Sequence, residues 1–203
     1  MPESVRAAVE RALSRQQRDA LSEVEQILDA ALRVAARVAP AEPKVTDIVA
    51  EAGSSNQTFY RYFAGKQDLM LAVVERGLIR VREYLRHRMD KRVEPVEQIT
   101  EWVEGLLAQV TVPDVARQST AVMRQVVLAG RLRGPGGVAL LDQLAALLVA
   151  PLAATGRPAP ELDAQVLQDA VLGTLQRHVV HGTSPTDAER AHLVAFCLQA
   201  VTP

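Results

Sequence analysis

Ala52-Gly53-Ser54-Ser55-Asn56-Gln57-Thr58-Phe59-Tyr60-Arg61-Tyr62-Phe63-Ala64-Gly65-Lys66 is the stretch whose reading decides the rest. The chain has three Phe, three Tyr and one Trp, and Phe59, Tyr60, Tyr62 and Phe63 fall within five consecutive residues. In a chain that is 3% aromatic, such a cluster marks a local packing unit. Gly53 can supply the left-handed backbone that a sharp turn between helices demands. Ser55 suits an N-cap, its hydroxyl accepting from the backbone N–H of Gln57 or Thr58. Within the helix that follows, Phe59 and Phe63 are four apart and share a face, which the spacing assigns to the core. Asn56, Gln57, Tyr60 and Arg61 fall on the opposite face. Amides, phenols and guanidinium groups are what base edges and phosphates are read and held by.

Upstream, Val45-Thr46-Asp47-Ile48-Val49-Ala50-Glu51-Ala52 is a short amphipathic segment with Ile48 and Ala52 on one side. Helix, glycine turn, helix is the helix-turn-helix pattern, whose second helix enters the major groove. With Thr46-Asp47-Ile48, Ala52-Gly53, Ser55, Thr58-Phe59-Tyr60, Tyr62-Phe63 and Lys66-Gln67-Asp68-Leu69 at these spacings, the segment from Lys44 to Met70 resembles the N-terminal domain of TetR-family repressors. Three positions depart from that pattern. Val49 stands where the family usually has Ala, Ser54 where the turn is usually apolar, and Gln57 where the residue is usually small. The last adds a long amide to the face turned toward DNA, so the operator sequence does not carry over from the resemblance.

Length and composition set the bounds. The 203 residues suffice for one large or two small domains with a core, and 48% hydrophobic with 23% charged residues is ordinary for a soluble protein. No window approaches the ~18 uninterrupted apolar residues of a membrane span, so no membrane partner is expected. No apolar signal core follows Met1-Pro2-Glu3-Ser4, so the expected location is the cytoplasm. The single cysteine, Cys197, fits that reducing compartment. A net charge of −1 excludes a broadly basic nucleic-acid binder but not a local patch. Between residues 53 and 66 there are Arg61 and Lys66 and no acid.

In chain order, residues 1–20 read as a flexible arm with a thin apolar stripe (Val5, Ala8, Val9, Ala12, Leu13). The other reading is a basic arm, with Arg6, Arg11, Arg15 and Arg18 lying along DNA. Ser22-Glu23-Val24-Glu25 is a capping box, which predicts that the first helix starts there. It continues on Val24, Ile27, Leu28, Ala31, Leu32 and Ala35 and ends at Pro40 and Pro43. Residues 21–65 form the expected DNA-binding head and 66–203 an all-helical body. A fourth helix opens at Lys66 and runs to about Met89, linking the two. Further helices are predicted over Pro95–Val110, Asp114–Arg131, Gly137–Ala154, Pro160–Gly182 and Pro185–Val201. Gly134-Pro135-Gly136-Gly137 is a break, Pro151 is expected to kink or end its helix, and Ser184 before Pro185 reads as an N-cap. No strand pattern appears; the fold class is all-α, with nine or ten helices.

His178, His181 and His192 could be metal ligands by spacing, but no carboxylate or cysteine completes a set, so no metal is assigned. Cys197 lies among Ala195, Phe196 and Leu198, which points to burial and an inert thiol. Glu97, Glu101 and Glu104 share a helix face that reads as solvated. No nucleophile elbow, phosphate-binding glycine loop or zinc-protease motif is present, so no enzyme, catalytic residue or cofactor is assigned. A small helical enzyme or binding protein with an apolar pocket is the alternative.

The resemblance implies a ligand-responsive transcriptional regulator, a repressor released from its operator by a small hydrophobic effector. It implies double-stranded operator DNA as partner, faced by Thr46, Ser55, Asn56, Gln57, Thr58, Tyr60, Arg61, Tyr62 and Lys66. Asn56, Gln57 and Arg61 are the candidates for base contact; by resemblance Thr46, Tyr60, Tyr62 and Lys66 hold phosphates. One short recognition helix covers few base pairs, so two half-sites and a two-fold dimer are expected. The expected homodimer forms through the last two helices, on Val166, Leu167, Ala170, Val171, Gly173, Thr174 and Leu175 with Leu193, Val194, Phe196, Cys197 and Val201. An effector site is expected in the middle of the body, near Leu78, Trp102, Leu106, Met123, Arg124, Val127, Leu144 and Leu172. Trp102 is the only Phe, Tyr or Trp between Tyr84 and Phe196, which leaves an aliphatic, adaptable lining.

Overall fold

The computed structural model describes residues 2–39, 41–111 and 135–201. Among these residues there are eight helices and no strand. They are α1 (Glu3–Val38), α2 (Val45–Glu51), α3 (Asn56–Tyr62), α4 (Lys66–Met89), α5 (Pro95–Thr111), α6 (Pro135–Ala154), α7 (Pro160–His181) and α8 (Asp187–Val201). The expected helix over Asp114–Arg131 lies outside the described residues. The chain divides into two compact units, Met1–Val73 and Val74–Pro203.

In the first unit, α1 corrects one expectation. The helix expected to start at Ser22 starts at Glu3 and runs unbroken for 36 residues. Between Pro2 and Pro40 the chain has neither Gly nor Pro and is rich in Ala, Arg, Gln, Glu and Leu, so nothing stops the helix before the capping box. Its first twenty residues are largely exposed, Val5, Val9, Leu13 and Leu21 among them. Burial begins at Ile27 and follows one stripe through Leu28, Ala30, Ala31, Val34 and Ala35. Onto it packs α2 through Ile48 and Val49. Glu51 fastens the pair, its carboxylate accepting from Arg37 Nη1 at 2.8 Å and Arg33 Nε at 2.9 Å. The bonds from Arg37 and Arg33 hold the Glu51 carboxyl below the usual carboxylate range.

In the second unit one apolar core joins the end of α4 to α5–α8, with Leu85, Ile99, Trp102, Leu107, Leu144, Leu148, Leu152 and Leu175 all essentially inaccessible. The buried indole of Trp102 donates to the Leu144 carbonyl at 3.0 Å, so the one polar atom of that ring is satisfied. Glu101, far from being part of a solvated face, accepts from Arg88 at 2.7 Å and from Arg92 at 2.6 Å. Burial by itself pushes the Glu101 carboxyl up, but its bonds to Arg92 and Arg88 outweigh that and leave it below the ordinary range.

The ends of the body helices follow local chemistry with two adjustments. Pro151 does not end α6, which continues to Ala154. The proline lies in the last turn, where one missing N–H removes a single ladder bond, and the chain turns at Thr155 and Gly156 (φ 81°). Helix α7 stops at Gly182, left-handed at φ 65°, with Thr183 N–H bonded to the His178 carbonyl. Helix α8 is capped by Thr186, not Ser184. The Thr186 hydroxyl accepts from Glu189 N–H at 3.2 Å while Glu189 Oε2 accepts from Thr186 N–H at 2.8 Å, a reciprocal capping box. Ser184 instead donates to the Val110 carbonyl at 3.4 Å.

Candidate nucleic-acid interface

Helix α3 is set by its flanks. Gly53 takes φ 62°, and the Ser55 hydroxyl accepts from Thr58 N–H at 3.0 Å, which satisfies one orphan donor of the first turn. Phe59 is wholly buried and Phe63 nearly so; their ring centroids are 5.7 Å apart, and Tyr60 meets Phe59 edge-on at 5.0 Å. This inner face fixes the rotation of α3 about its axis. Asn56, Gln57, Tyr60 and Arg61 are consequently exposed together, with Tyr60 at 61%.

Of the other residues singled out, Thr46 and Ser55 are exposed, whereas Thr58, Tyr62 and Lys66 are half-buried. The Thr58 hydroxyl is shared with Ser55 at 3.0 Å, so part of its hydrogen-bonding capacity goes to the cap. Tyr62 lies beneath the Arg61 guanidinium, 4.8 Å from its carbon to the ring centroid. The structure brings Ser55 to Thr58 and Arg61 to Tyr62, while Thr46 and Lys66 lie in the first turns of α2 and α4.

Two acids bonded to these side chains come from outside the 53–66 stretch, and the local charge balance read from the stretch alone is corrected by them. Glu23 Oε2, on α1, accepts from both Arg61 Nη2 and Tyr62 Oη at 2.6 Å. The bond to Glu23 holds the Tyr62 phenol above its ordinary pKa, as a protonated donor. Lys66 Nζ is paired with Glu42. Neither acid is visible as a partner in the sequence, because 38 and 24 residues separate them from Arg61 and Lys66.

In the body, Trp102, Leu106 and Leu144 lie inside the core, with Leu78 and Leu172 partly buried against it. Met123, Arg124 and Val127 lie outside the described residues. The residues expected to pair two chains divide. Leu167, Val171, Leu175, Cys197 and Val201 are buried in the chain's own core, which corrects their assignment to an outward surface. Val166 and Phe196 are exposed, and among the described residues a Cβ added at Gly173 would meet nothing within 4 Å. Burial pushes the Cys197 thiol up to about 11, leaving it protonated and unreactive at neutral pH. His178 Nδ1 lies 2.8 Å from the Thr183 hydroxyl, at the C-terminal turn of α7.

The comparisons with known proteins agree with this geometry. Residues 27–73 match the family model described as bacterial regulatory proteins, tetR family. No curated protein sequence matches the chain. Among solved structures, a TetR-like transcriptional regulator from Rhodococcus sp. RHA1 superposes with a TM-score of 0.62 at 25% identity, over 88% of this chain and 94% of that one. A putative TetR-family transcriptional regulator from Mesorhizobium loti MAFF303099 gives 0.66 at 16% identity, over 90% and 96%. The transcriptional regulator FadR from Bacillus subtilis, solved with stearoyl-CoA, gives 0.60 at 18% identity, over 88% and 97%. Residues 27–73 thus match the DNA-binding segment of tetR-family regulatory proteins, and the chain as a whole is similar in fold to TetR-like transcriptional regulators.

Proposed function

We propose that this regulator is a repressor that binds operator DNA as a homodimer and leaves it when a small hydrophobic effector enters the body. The observation that carries the DNA reading is the exposed row Asn56, Gln57, Tyr60 and Arg61 on a helix whose opposite face is locked by Phe59 and Phe63. A helix held in one rotation presents the same side chains to the groove each time it docks, which sequence reading requires. Asn56, Gln57 and Arg61 are assigned to bases; Thr46, Tyr60, Tyr62 and Lys66 to phosphates, with Ser55 and Thr58 shaping the helix start between them. Binding of the chain and its variants to a library of random duplexes tests this. Lys66→Ala should weaken binding to every sequence and reduce the salt slope by about one unit, whereas Gln57→Ala should change the preferred sequence. A uniform loss in both variants would refute the division into base and backbone contacts.

Dimerisation is supported by α7, which is apolar on two sides. Leu162, Val166 and Val180 are exposed on the side of Gly173, opposite the stripe that enters the core. The effector reading draws on the aliphatic core around Trp102 and on the similar fold of Bacillus subtilis FadR, which was solved with stearoyl-CoA. A long-chain acyl compound is the effector class proposed, and it shifts the equilibrium only as far as it prefers the DNA-incompetent form. Mass spectrometry of material that co-purifies with the chain, followed by DNA release on adding it back, tests this. Release by polar compounds alone would refute it.

A further inference from the structure

We propose that Glu23 and Glu42 act as internal counter-anions that hold the DNA-facing side chains of Arg61, Tyr62 and Lys66 and must be displaced when DNA docks, so that they limit the head's affinity for DNA. The proposal rests on the reading of this surface as a DNA interface. Its basis is that the cations and the phenol assigned there are already bonded. Glu23 Oε2 takes both the Arg61 guanidinium and the Tyr62 hydroxyl at 2.6 Å, and Lys66 is paired with Glu42.

Three features make these pairs competitors of DNA instead of fixed parts of the fold. First, they are wet: the paired side chains are 56% and 46% exposed for Arg61 and Glu23, and 35% and 71% for Lys66 and Glu42. Exposed pairs contribute little to stability, so a phosphate can replace the carboxylate without unfolding the head. Second, the geometry is that of the expected DNA contact. Glu23 Oε2 accepts from the Tyr62 phenol, where a phosphate oxygen is expected, and at the same time engages the Arg61 guanidinium assigned to a base. Third, the remaining fixation of α3 does not depend on them, since Gly53, the Ser55 cap and the buried Phe59 and Phe63 position that helix.

The consequence is quantitative. Sequence-independent binding is driven by cations that neutralise phosphates and release counterions. A cation whose partner is a carboxylate of its own chain releases less, because the displaced anion stays beside the DNA. Removing one of these acids should therefore make the salt slope steeper by about 0.9 units and tighten binding about fivefold to tenfold at ~0.1 M salt, with the advantage fading toward 1 M.

The test measures anisotropy of a labelled random-sequence duplex, titrated with the unaltered chain, Glu23→Gln, Glu42→Gln and the double variant across a salt series. Glutamine keeps the length, the acceptor oxygen and the helix propensity of glutamate and removes only the charge. The two sites are on different segments, so one variant still reports if the other fails to fold. Glu161→Gln, at the exposed start of α7 in the body, controls for net charge. The expected result is tighter binding with a steeper slope for each head variant, more for the double, and no change for Glu161→Gln. Unchanged or weaker binding in both head variants while the unaltered chain binds DNA would overturn the proposal and leave the DNA reading standing. Equal tightening by Glu161→Gln would also overturn it, as an effect of net charge. Absence of binding by every form at low salt would remove the DNA reading and the proposal together.

Discussion

Replacing Gly105 by Ala sets two effects of known size against each other. An interior helical glycine costs about 1 kcal/mol relative to alanine, so the substitution should stabilise α5 if the methyl finds room. It does not: a Cβ at Gly105 would stand 2.7 Å from Leu85 Cδ2, 3.3 Å from Arg88 Cδ and 3.5 Å from Tyr84 Cε1. A flexible neighbour could yield, but Leu85 is completely buried and Arg88 is tied to Glu101 and to the Tyr84 hydroxyl. Overpacking of such a site costs about 1–3 kcal/mol, so the net effect of Gly105→Ala should be a loss of ~0–2 kcal/mol. Gly77→Ala, in α4 with nothing among the described residues within 4 Å of the added carbon, serves as the reference and should gain about 1 kcal/mol. The two variants should differ by about 1–3 kcal/mol, which for a chain of this length is roughly 2–12 °C in thermal midpoint. Melting of both proteins at one concentration, followed by circular dichroism, measures this. If Gly105→Ala rose in midpoint as far as Gly77→Ala, the close approach of α4 to α5 and the immobility of Leu85 would both be wrong.

Phe59→Ala should destabilise the head by about 3–5 kcal/mol, since it removes a wholly buried ring between Tyr60 and Phe63; urea titration with a probe in the head should show that unit melting first. Glu101, Glu51 and Asp163 all have carboxyl groups held below their ordinary range in the folded chain. Their contribution to stability is therefore complete above the unfolded carboxylate values near ~4 and is lost as pH falls through the lower folded ones. Glu101→Gln should flatten that acid limb in a pH series of urea midpoints, and an unchanged limb would contradict the bonds to Arg92 and Arg88. Val166→Asp together with Phe196→Asp should turn a sedimenting dimer into a monomer without lowering helix content, because both side chains are exposed in the single chain. A dimer that persists would place the self-association elsewhere.

What the sequence by itself determined is short in range. The turn at Gly53, the Ser55 cap onto Thr58, the inward Phe59 and Phe63 and the outward Asn56, Gln57, Tyr60 and Arg61 all follow from conformational preference and from spacings of three or four residues. The helical class of the body was legible for the same reason. Where two local signals compete, the sequence was a poor judge. Ser22-x-x-Glu25 and Thr186-x-x-Glu189 are the same capping box, yet only the second starts a helix, because Pro185 precedes it while an unbroken run of helix formers precedes the first. Helix α7 is apolar on two faces, so periodicity could not tell Leu167, Val171 and Leu175, which enter the core, from Val166, which does not. Only the tertiary structure decided such matters, and it alone brought Glu23 to Arg61 and Tyr62, Glu42 to Lys66 and Gly105 against Leu85. Partners so far apart in the chain leave no periodic trace in either segment: their contact depends on how helices pack, and packing is set by the whole core.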